Sequence, residues 1–225
     1  DEYTVPYIGG TPLIVYNPAM VDIEIAGYED LWDPSLRDGV VILDEARNMI
    51  GITLKTLGQS FNVTDDEILA QAKDKLMALR PNVRSFNSTT AHLDLVNGEC
   101  AVAYMYTSYV VRALALNPEL QVAYPKEGMG FGIDCMVVPV NAPHRNNAHA
   151  FIDFILDGRI GAQVAQAQQF ISPNAAAYEY LPEDFKRNPA MFIPPEVLGT
   201  PEFIEDLGEY ESVYQDIWTQ FKLAK

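Results

Sequence analysis

The residues of this sequence best suited to chemistry are acids and aromatics at the ends of apolar segments. Asp134 is the clearest of them, because it stands at the mouth of an apolar strand in the stretch PKEGMGFGIDCMVVP, residues 125–139. A carboxylate in that position needs a polar partner. It either meets a ligand or caps a nearby backbone amide, and the spacing alone leaves both interpretations open.

A small set of side chains shares this placement at loop and strand ends. Its members are Tyr7, Glu45, Ser88, Tyr106 and Asp134. Carboxylates form charge-assisted hydrogen bonds with ammonium groups, and each aromatic face adds a cation–π attraction of about 0.5–2 kcal/mol. The set therefore suits an organic ammonium ligand, and the alternative is that the tyrosines are wall residues of the fold.

Motifs for catalysis or metal binding do not occur in the sequence. It contains no phosphate loop and no GxGxxG, GxSxG or HExxH pattern. His92, His144 and His149 share no helical spacing, and we interpret them as loop or surface residues. The sequence therefore predicts that the protein is not an enzyme and has neither a metal site nor a cofactor.

Composition and charge narrow the class of protein. The 225 residues are 48% hydrophobic and 20% charged, the profile of a globular protein with one large or two ordinary domains. The formal net charge of −16 argues against nucleic acid and anionic membrane surfaces as partners, because both bind clustered Lys and Arg. Cys100 and Cys135 lie in apolar segments without metal-ligand spacing, which predicts small buried thiols.

Strand and helix patterns alternate up to residue 124, which is typical of an α/β unit. Apolar strands are predicted at 39–43, 83–87, 100–106 and 120–124, with helices between them, one of them capped by Thr64. In open α/β sheets, ligands meet the carboxyl ends of the strands. That rule points to Asp44, Glu45, Ser88, Tyr106 and Thr107.

The part of the chain after residue 124 follows a different pattern. A strand over Cys135–Pro139 is followed by predicted helices at 148–156 and 160–169, a long connection at 181–201 and a final helix from about Pro201. This part supplies too few strands for a self-sufficient sheet. The sequence therefore indicates a second unit that is incomplete by itself.

Six blocks of the sequence resemble the spermidine/putrescine-binding proteins of bacterial ABC importers. The blocks are VPYIGGTPLIVYN (5–17), YEDLWDPSLRDGVVILDEAR (28–47), ALRPNVRSFNS (78–88), VNGECAVAYMYTS (96–108), YPKEGMGFGIDCMVVPVNAP (124–143) and ISPNAAA (171–177). They occur in order and cover nearly the whole chain. The most specific are YPKEG followed by an aspartate and a strand that ends in Val-Pro, and FNS followed by Gly98-Glu99.

This resemblance implies an α/β, periplasmic-binding-protein-like fold of type II, with two α/β lobes joined by a hinge. Residues 8–124 would form a complete lobe, residues 125–200 the remainder of the other lobe, and residues 201–225 a C-terminal helix that packs back on the 8–124 lobe. The chain would cross between the lobes near residues 4–7 and again near 125–132. The family's first segment, about a hundred residues and so domain-sized, is not in this sequence, so one lobe is expected to be incomplete.

The resemblance also implies a set of ligand contacts. The position of an acidic pair falls on Glu45 and Asn48, so one acid is replaced by an amide. A serine contact falls on Ser88, an aromatic wall on Tyr106, and the amine-binding aspartate on Asp134. With Tyr7 added from the residue pattern, these are the predicted ligand-binding residues.

Three positions depart from the family pattern. Tyr106 and Gly132 stand where tryptophans are usual, and Ile204 stands where a glutamine is expected. A less acidic and less aromatic pocket suits a shorter diamine or a related small solute. Polyamine is therefore the predicted class of ligand, rather than spermidine in particular.

The function that the resemblance implies is that of a substrate-binding component of an ABC importer. It would capture a putrescine- or spermidine-like cation in the interlobe cleft, in the periplasm or at the cell surface, and deliver it to the membrane permease. The alternatives are a ligand-sensing or docking module fused to a permease, and a binding protein for a different small solute. An incomplete lobe would expose apolar surface, which a dimer would cover.

Overall fold

The computed structural model describes residues 3–194 and 201–224. The strands are β1 Val5–Gly10, β2 Pro12–Tyr16, β3 Val40–Ile42, β4 Val83–Phe86, β5 Val102–Tyr106, β6 Gln121–Ala123, β7 Gly130–Met136 and β8 Glu202–Phe203. The helices are α1 Ala46–Thr56, α2 Asp66–Leu79, α3 Ala91–Val96, α4 Thr107–Leu116, α5 Arg145–Leu156, α6 Gly158–Gln168, α7 Glu183–Arg187 and α8 Tyr210–Leu223. Short 3-10 helices cover Glu29–Trp32, Pro34–Leu36, Arg80–Asn82 and Ala175–Glu179. In these ranges, none of the helices has the length and apolar character needed to cross a membrane.

The larger sheet has the strand order β4-β3-β5-β2-β6. Strand β3 pairs in parallel with β4 and β5, while β2 runs antiparallel to β5 and β6. Because β3, β4 and β5 are parallel, their carboxyl ends meet at one edge of the sheet. The structure thus confirms the alternating α/β pattern predicted before residue 124.

Helices cover both faces of this larger sheet, which explains why its central strands are apolar on both sides. Ile14, Ile42 and Val102 face a core shared with α1, α2 and α8. Leu13 and Val15 face the opposite core, shared with α3 and α4. Successive strand residues therefore alternate between two buried layers.

The smaller sheet joins β1, β7 and β8. Residues Val5 to Gly10 of β1 pair antiparallel with β7, so the chain crosses to the larger sheet at the buried Thr11. The predicted crossing between lobes near residues 4–7 stays a prediction, and the change from one sheet to the other follows Gly10, the last residue of β1 that pairs with β7. The division into 8–124, 125–200 and 201–225 stays a prediction. Its boundary at residue 200 borders residues 195–200, which lie outside the described part of the chain.

The glycine-rich stretch before Asp134 is part of a strand rather than a break before one. Strand β7 begins at Gly130, not at Cys135 as predicted. A Cβ atom on Gly130 would lie 3.0 Å from the Phe61 ring, so this ring packs directly on the strand backbone. The turn falls earlier, at Gly128, whose φ of +93° favours glycine.

The final helix begins at Tyr210, and the prediction of a helix from about Pro201 is wrong. Glu202 and Phe203 add a strand to β7 instead. The Glu202 carboxylate anchors this strand by accepting hydrogen bonds from Ser60 Oγ and, at 2.9 Å, from the Phe61 amide. Helix α8 then packs on α1 and α2 through its apolar face.

Two other local predictions are corrected by the structure. The cap of α2 is Asp65 and not Thr64, because the Asp65 carboxylate accepts hydrogen bonds from the amides of Glu67 and Ile68. Cys100 is buried as predicted, whereas Cys135 is exposed on β7.

Candidate ligand-binding cleft

A cavity of about 610 Å³ lies between the two sheets. Its walls come from the carboxyl edge of the larger sheet, from β1 and β7, and from the ends of α4 and α6. The predicted residues that line it are Glu45, Asn48, Ser88, Tyr106 and Asp134. These residues are far apart in the sequence, and the parallel strands of the larger sheet, together with β7 of the smaller sheet, bring them to one cleft.

A hydrogen-bonded group of three side chains forms the acidic wall of the cleft. Glu45 immediately precedes α1, Asn48 lies in its first turn and Tyr106 ends β5. The Tyr106 hydroxyl donates to Glu45 Oε2 at 2.5 Å, and Asn48 Nδ2 donates to the same oxygen at 2.8 Å. Among the described residues both bonds end on Oε2, so Oε1 is left for a ligand.

The Tyr106 phenol keeps its proton at neutral pH. Burial raises its pKa, and the hydrogen bond to Glu45 and the nearby negative charges of Glu45 and Asp134 raise it further. The phenol therefore acts as a donor toward Glu45, while its ring is half-buried at the wall of the cleft. This arrangement fixes the orientation of the carboxylate.

Asp134 reaches the cleft from the smaller sheet. It lies on β7 opposite Ile8 and is solvent-exposed. Two residues away, a Cβ atom on Gly132 would meet no heavy atom within 4 Å, so this side of the cleft is open. Gly132 and Ile204, two of the positions that depart from the family pattern, both line this cavity.

Ser88 contributes a hydroxyl at the end of β4. Its Oγ accepts a hydrogen bond from the Asp44 amide at 3.0 Å, which ties the loops after β3 and β4 together. The Asp44 side chain itself points elsewhere, because its Oδ1 accepts hydrogen bonds from Lys222 at 2.9 Å and Trp218 at 3.2 Å. Thr107 is fully buried and donates to the Thr11 carbonyl. The strand-end rule thus found Glu45, Ser88 and Tyr106 but also named two residues outside the cleft.

Tyr7 lies apart from the other predicted residues. It occupies the irregular position between Pro6 and Ile8 where the register of β1 shifts against β7. There it lines a separate small cavity beside Leu156 and Ala165 of α5 and α6. Tyr7 is therefore not among the residues that line this cleft.

Several cleft residues escaped the sequence reasoning. The polar and aromatic ones include Tyr109, Arg112, Gln168 and Phe170. Tyr109 and Arg112 follow Tyr106 at intervals of three residues, and helical spacing after a strand end is a signal that could have found them. Phe170 follows a left-handed residue, Gln169, at the end of α6, and no sequence pattern marks it.

His92 was expected in a loop or on the surface, and the structure contradicts this. It is buried and stacks on Tyr109, with ring centroids 5.2 Å apart. Burial lowers its pKa, and the Arg112 guanidinium lowers it further. Across residues 3–194 and 201–224, no three His, Cys, Asp or Glu side chains are grouped so as to hold a metal ion.

The fold and the site together define a class of protein. The chain passes from one sheet to the other at Thr11 and again between Ala123 and Gly130. A cleft lined by carboxylates from both sides lies between the two sheets. This is the architecture of binding proteins that enclose a small solute between two α/β units.

The chain belongs to the family of bacterial extracellular solute-binding proteins, which it matches over residues 1–193. It is similar to spermidine/putrescine-binding periplasmic protein 1 of Haemophilus influenzae, with 29% identity over the whole chain and 63% of the relative. It is also similar to the putrescine/cadaverine-binding protein of Pseudomonas aeruginosa, with 30% identity over 99% of the chain and 67% of the relative. Membership of this family places the protein outside the cytoplasm.

A solved structure shows the same fold. The substrate-binding protein of a spermidine/putrescine ABC transporter from Streptococcus pneumoniae superimposes with a TM-score of 0.86 at 29% identity. The match covers 99% of this chain and 69% of that one. It confirms the predicted periplasmic-binding-protein-like α/β fold. The chain spans about two thirds of the length of its relatives, 63% and 67% in the two named here.

Proposed function

We propose that the protein captures a polyamine in this cleft as the substrate-binding component of an ABC importer and passes it to a membrane permease. The observation that carries the proposal is the pair of carboxylates, Glu45 and Asp134, that reach one cavity from different sheets. The names of the relatives support a polyamine as the ligand class. The proposed role is binding without catalysis.

The chemistry of the cleft suits protonated amines. An ammonium group donates up to three hydrogen bonds, and Glu45 Oε1 and the Asp134 carboxylate are acceptors that carry opposite charge. The ring of Tyr106 adds cation–π attraction to the methylene-linked ammonium groups. The Tyr106 hydroxyl donates its proton to a hydrogen bond with Glu45 Oε2, so it is not available as a donor to the ligand.

Because the two acids belong to different sheets, a diamine that contacts both would draw the sheets together. Ligand binding can shift a conformational equilibrium only by its difference in affinity for the two states. A ligand that contacts Glu45 alone would bind the open and closed forms equally well. A diamine that bridges Glu45 and Asp134 would make both contacts only when the cleft is closed. Closure is thus the proposed signal that the permease recognises.

Calorimetric titration of the full-length protein with putrescine and spermidine tests the proposal. We expect saturable binding of one or both amines. The absence of binding heat with both, supported by unchanged thermal stability in their presence, would overturn the polyamine assignment.

The variant Asp134→Asn tests the role of the second carboxylate. It keeps the side-chain shape and removes the charge, so we expect putrescine binding to weaken by about ten- to a hundredfold, the value of a hydrogen bond to a charged group. Asp153→Asn is the matched control, because Asp153 is exposed on α5 and does not line the cleft. Equal affinities for the Asp134 variant and the control would contradict the assignment of Asp134.

A further inference from the structure

We infer that the side-chain amide of Asn62 is a positioning group for the cleft, because it holds β8 from its outer edge and thereby fixes Ile204 as part of the cleft wall. The inference rests on the proposed function, since it concerns how the same cleft keeps its shape for an amine ligand. Asn62 lies between α1 and α2 and is not among the residues that line the cavity, whereas Ile204 follows β8 directly and does line it.

Strand β8 has only two residues, and its inner edge bonds to β7. The amides of Glu202 and Ile204 donate to backbone carbonyls in the segment 129–131 at 3.1 and 3.3 Å. Backbone groups alternate between the two edges of a strand, so the Phe203 carbonyl and the Glu205 amide point to the outer edge. The outer edge of β8 therefore offers one acceptor and one donor.

The amide of Asn62 meets both of these groups. Its Nδ2 donates to the Phe203 carbonyl at 2.8 Å, and its Oδ1 accepts from the Glu205 amide at 3.0 Å. A residue of a neighbouring parallel strand would bond to the same two groups with its own N–H and C=O. The Asn62 side chain therefore takes the place of a further strand at this edge.

Four partners fix the orientation of the Asn62 amide. Its Nδ2 faces two acceptors, the Phe203 carbonyl and the Glu202 carboxylate, whose Oε1 lies 3.3 Å away. Its Oδ1 faces two donors, the Glu205 amide and Arg47 Nη2, the latter at 2.5 Å. Turning the amide over would set donor against donor and acceptor against acceptor at all four contacts. The amide is therefore held in one orientation.

The same hydrogen bonds connect β8 to the helix that follows the acidic wall. Arg47 lies in the first turn of α1, two residues after Glu45. Its Nη2 donates to the Glu205 carbonyl at 3.0 Å as well as to Asn62. Ile204 stands between the two residues whose backbone Asn62 holds. The amide therefore sets where Ile204 lies relative to Glu45.

Ile204 offers an apolar surface to the ligand. An amine ligand has methylene groups as well as charged ends, and burying them contributes to affinity in proportion to the area removed from water. If β8 moves away from β7, Ile204 loses part of this contact while the carboxylates keep theirs. Asn62 is therefore expected to affect the affinity for the amine without touching it.

Calorimetric titration of the full-length protein with putrescine tests the inference in wild type and Asn62→Ala. We expect the variant to bind putrescine about two- to tenfold more weakly, the effect of one lost hydrogen bond. Asn62→Leu keeps the approximate size of the side chain and removes the same hydrogen bonds, so it should lose as much. Asn82→Ala is the matched control, because the Asn82 amide also donates to backbone carbonyls, those of Leu31 and Asp33, but does not line or support the cleft. Its affinity for putrescine is expected to equal that of the wild type.

The double variant Asn62→Ala, Ile204→Ala shows whether the effect runs through Ile204. We expect Ile204→Ala to weaken binding by itself and the added Asn62→Ala change to weaken it no further. A purely structural role for Asn62 would reduce the affinity by the same factor in both backgrounds, and that result would overturn the inference.

Amide hydrogen exchange of the ligand-free protein gives a second measurement, one that needs no ligand. The amides of Glu202 and Ile204 bond to the segment 129–131, and we expect them to exchange about two- to tenfold faster in Asn62→Ala, because β8 separates from β7 more often. Unchanged exchange of these two amides, or an unchanged affinity for putrescine where the wild type binds it, would overturn the inference and leave the proposed function intact. If the wild-type protein binds neither putrescine nor spermidine, the proposed function fails and the inference fails with it.

Discussion

At the scale of single residues, the acidic wall depends on a chain of short hydrogen bonds. Glu45 is fixed by Tyr106 and Asn48, and Asn48 is 7% exposed, so its amide is a nearly buried positioning group. Asn48 Nδ2 also donates to the Tyr106 hydroxyl at 3.1 Å. At the position where the resemblance implies a second acid, Asn48 therefore supplies a donor that orients the Glu45 carboxylate.

The variant Tyr106→Phe isolates the contribution of the phenol. It keeps the ring and removes the donor to Glu45, so we expect putrescine to bind about two- to tenfold more weakly, which corresponds to about 0.5–1.5 kcal/mol for one hydrogen bond. Calorimetry measures the change. Tyr16→Phe is the control, since the Tyr16 hydroxyl bonds to Gln121 at 2.6 Å outside the cleft. A larger loss in the control than in the Tyr106 variant would refute this role.

At the scale of elements, α8 is attached to the strand end that precedes the site. Asp44, next to Glu45, accepts hydrogen bonds from Trp218 and Lys222 of α8. The rings of Trp218 and Phe221 pack edge-on against Phe86 of β4, with centroids 5.5 and 5.8 Å away. The last helix therefore supports the ends of β3 and β4, where Glu45 and Ser88 are displayed.

The contact between Asp44 and α8 predicts a pH dependence of stability. The hydrogen bond from Lys222 lowers the pKa of Asp44, so the folded state binds this proton less readily than the unfolded chain. The contribution is present above the ordinary aspartate pKa of about 3.9 and is lost as the pH falls through the lowered value.

Urea unfolding of wild type and Asp44→Asn at several pH values measures this contribution. At pH 7 we expect the variant to lose up to about 1 kcal/mol, because the pair is partly exposed and screened. The difference is expected to vanish in strong acid, where the wild-type carboxyl is also protonated. Glu183→Gln, which removes one carboxylate of an exposed pair on α7, is the control. A difference that persists unchanged to pH 2 would contradict the assignment.

At the scale of the whole molecule, the two sheets differ in how well they are covered. Helices enclose the larger sheet on both faces, whereas the unit around the smaller sheet exposes large apolar side chains. Val140 is 82% exposed, and Phe151 and Phe154 of α5 are 58% and 56% exposed. Phe151 and Phe154 are one helical turn apart on α5, and exposed apolar side chains that are neighbours are typical of association surfaces.

The predicted dimer of this chain is expected to form through that surface. Light scattering of the 225-residue chain should give a concentration-dependent dimer. The double variant Phe151→Ser, Phe154→Ser should shift it toward the monomer. Leu116→Ser is the control, because Leu116 is equally exposed, at 59%, but lies on α4 of the other unit. A monomer at all concentrations would show that the prediction is wrong.

The order of elements up to residue 124 and five of the residues that line the cleft followed from the sequence. Glu45, Ser88 and Tyr106 lie at or shortly after the ends of apolar strands. This position predicts that they lie at the carboxyl edge of a parallel sheet, because chain direction fixes that edge. The family blocks added Asn48 and supported Asp134. These inferences succeed because periodicity and strand ends are local properties that neighbouring residues encode.

Only the tertiary structure decided where side chains with the same local pattern point. Tyr7 and Asp44 satisfy the same strand-end or aromatic pattern, yet a register shift in β1 and a lysine 178 positions away direct them outside the cleft. Conversely, Arg112 enters the site because Gln169 and Tyr109 hold its guanidinium there. Long-range contacts with β7, Lys222 and Gln169 set these directions, and the local helical spacing indicates only that Tyr109 and Arg112 share a helix face.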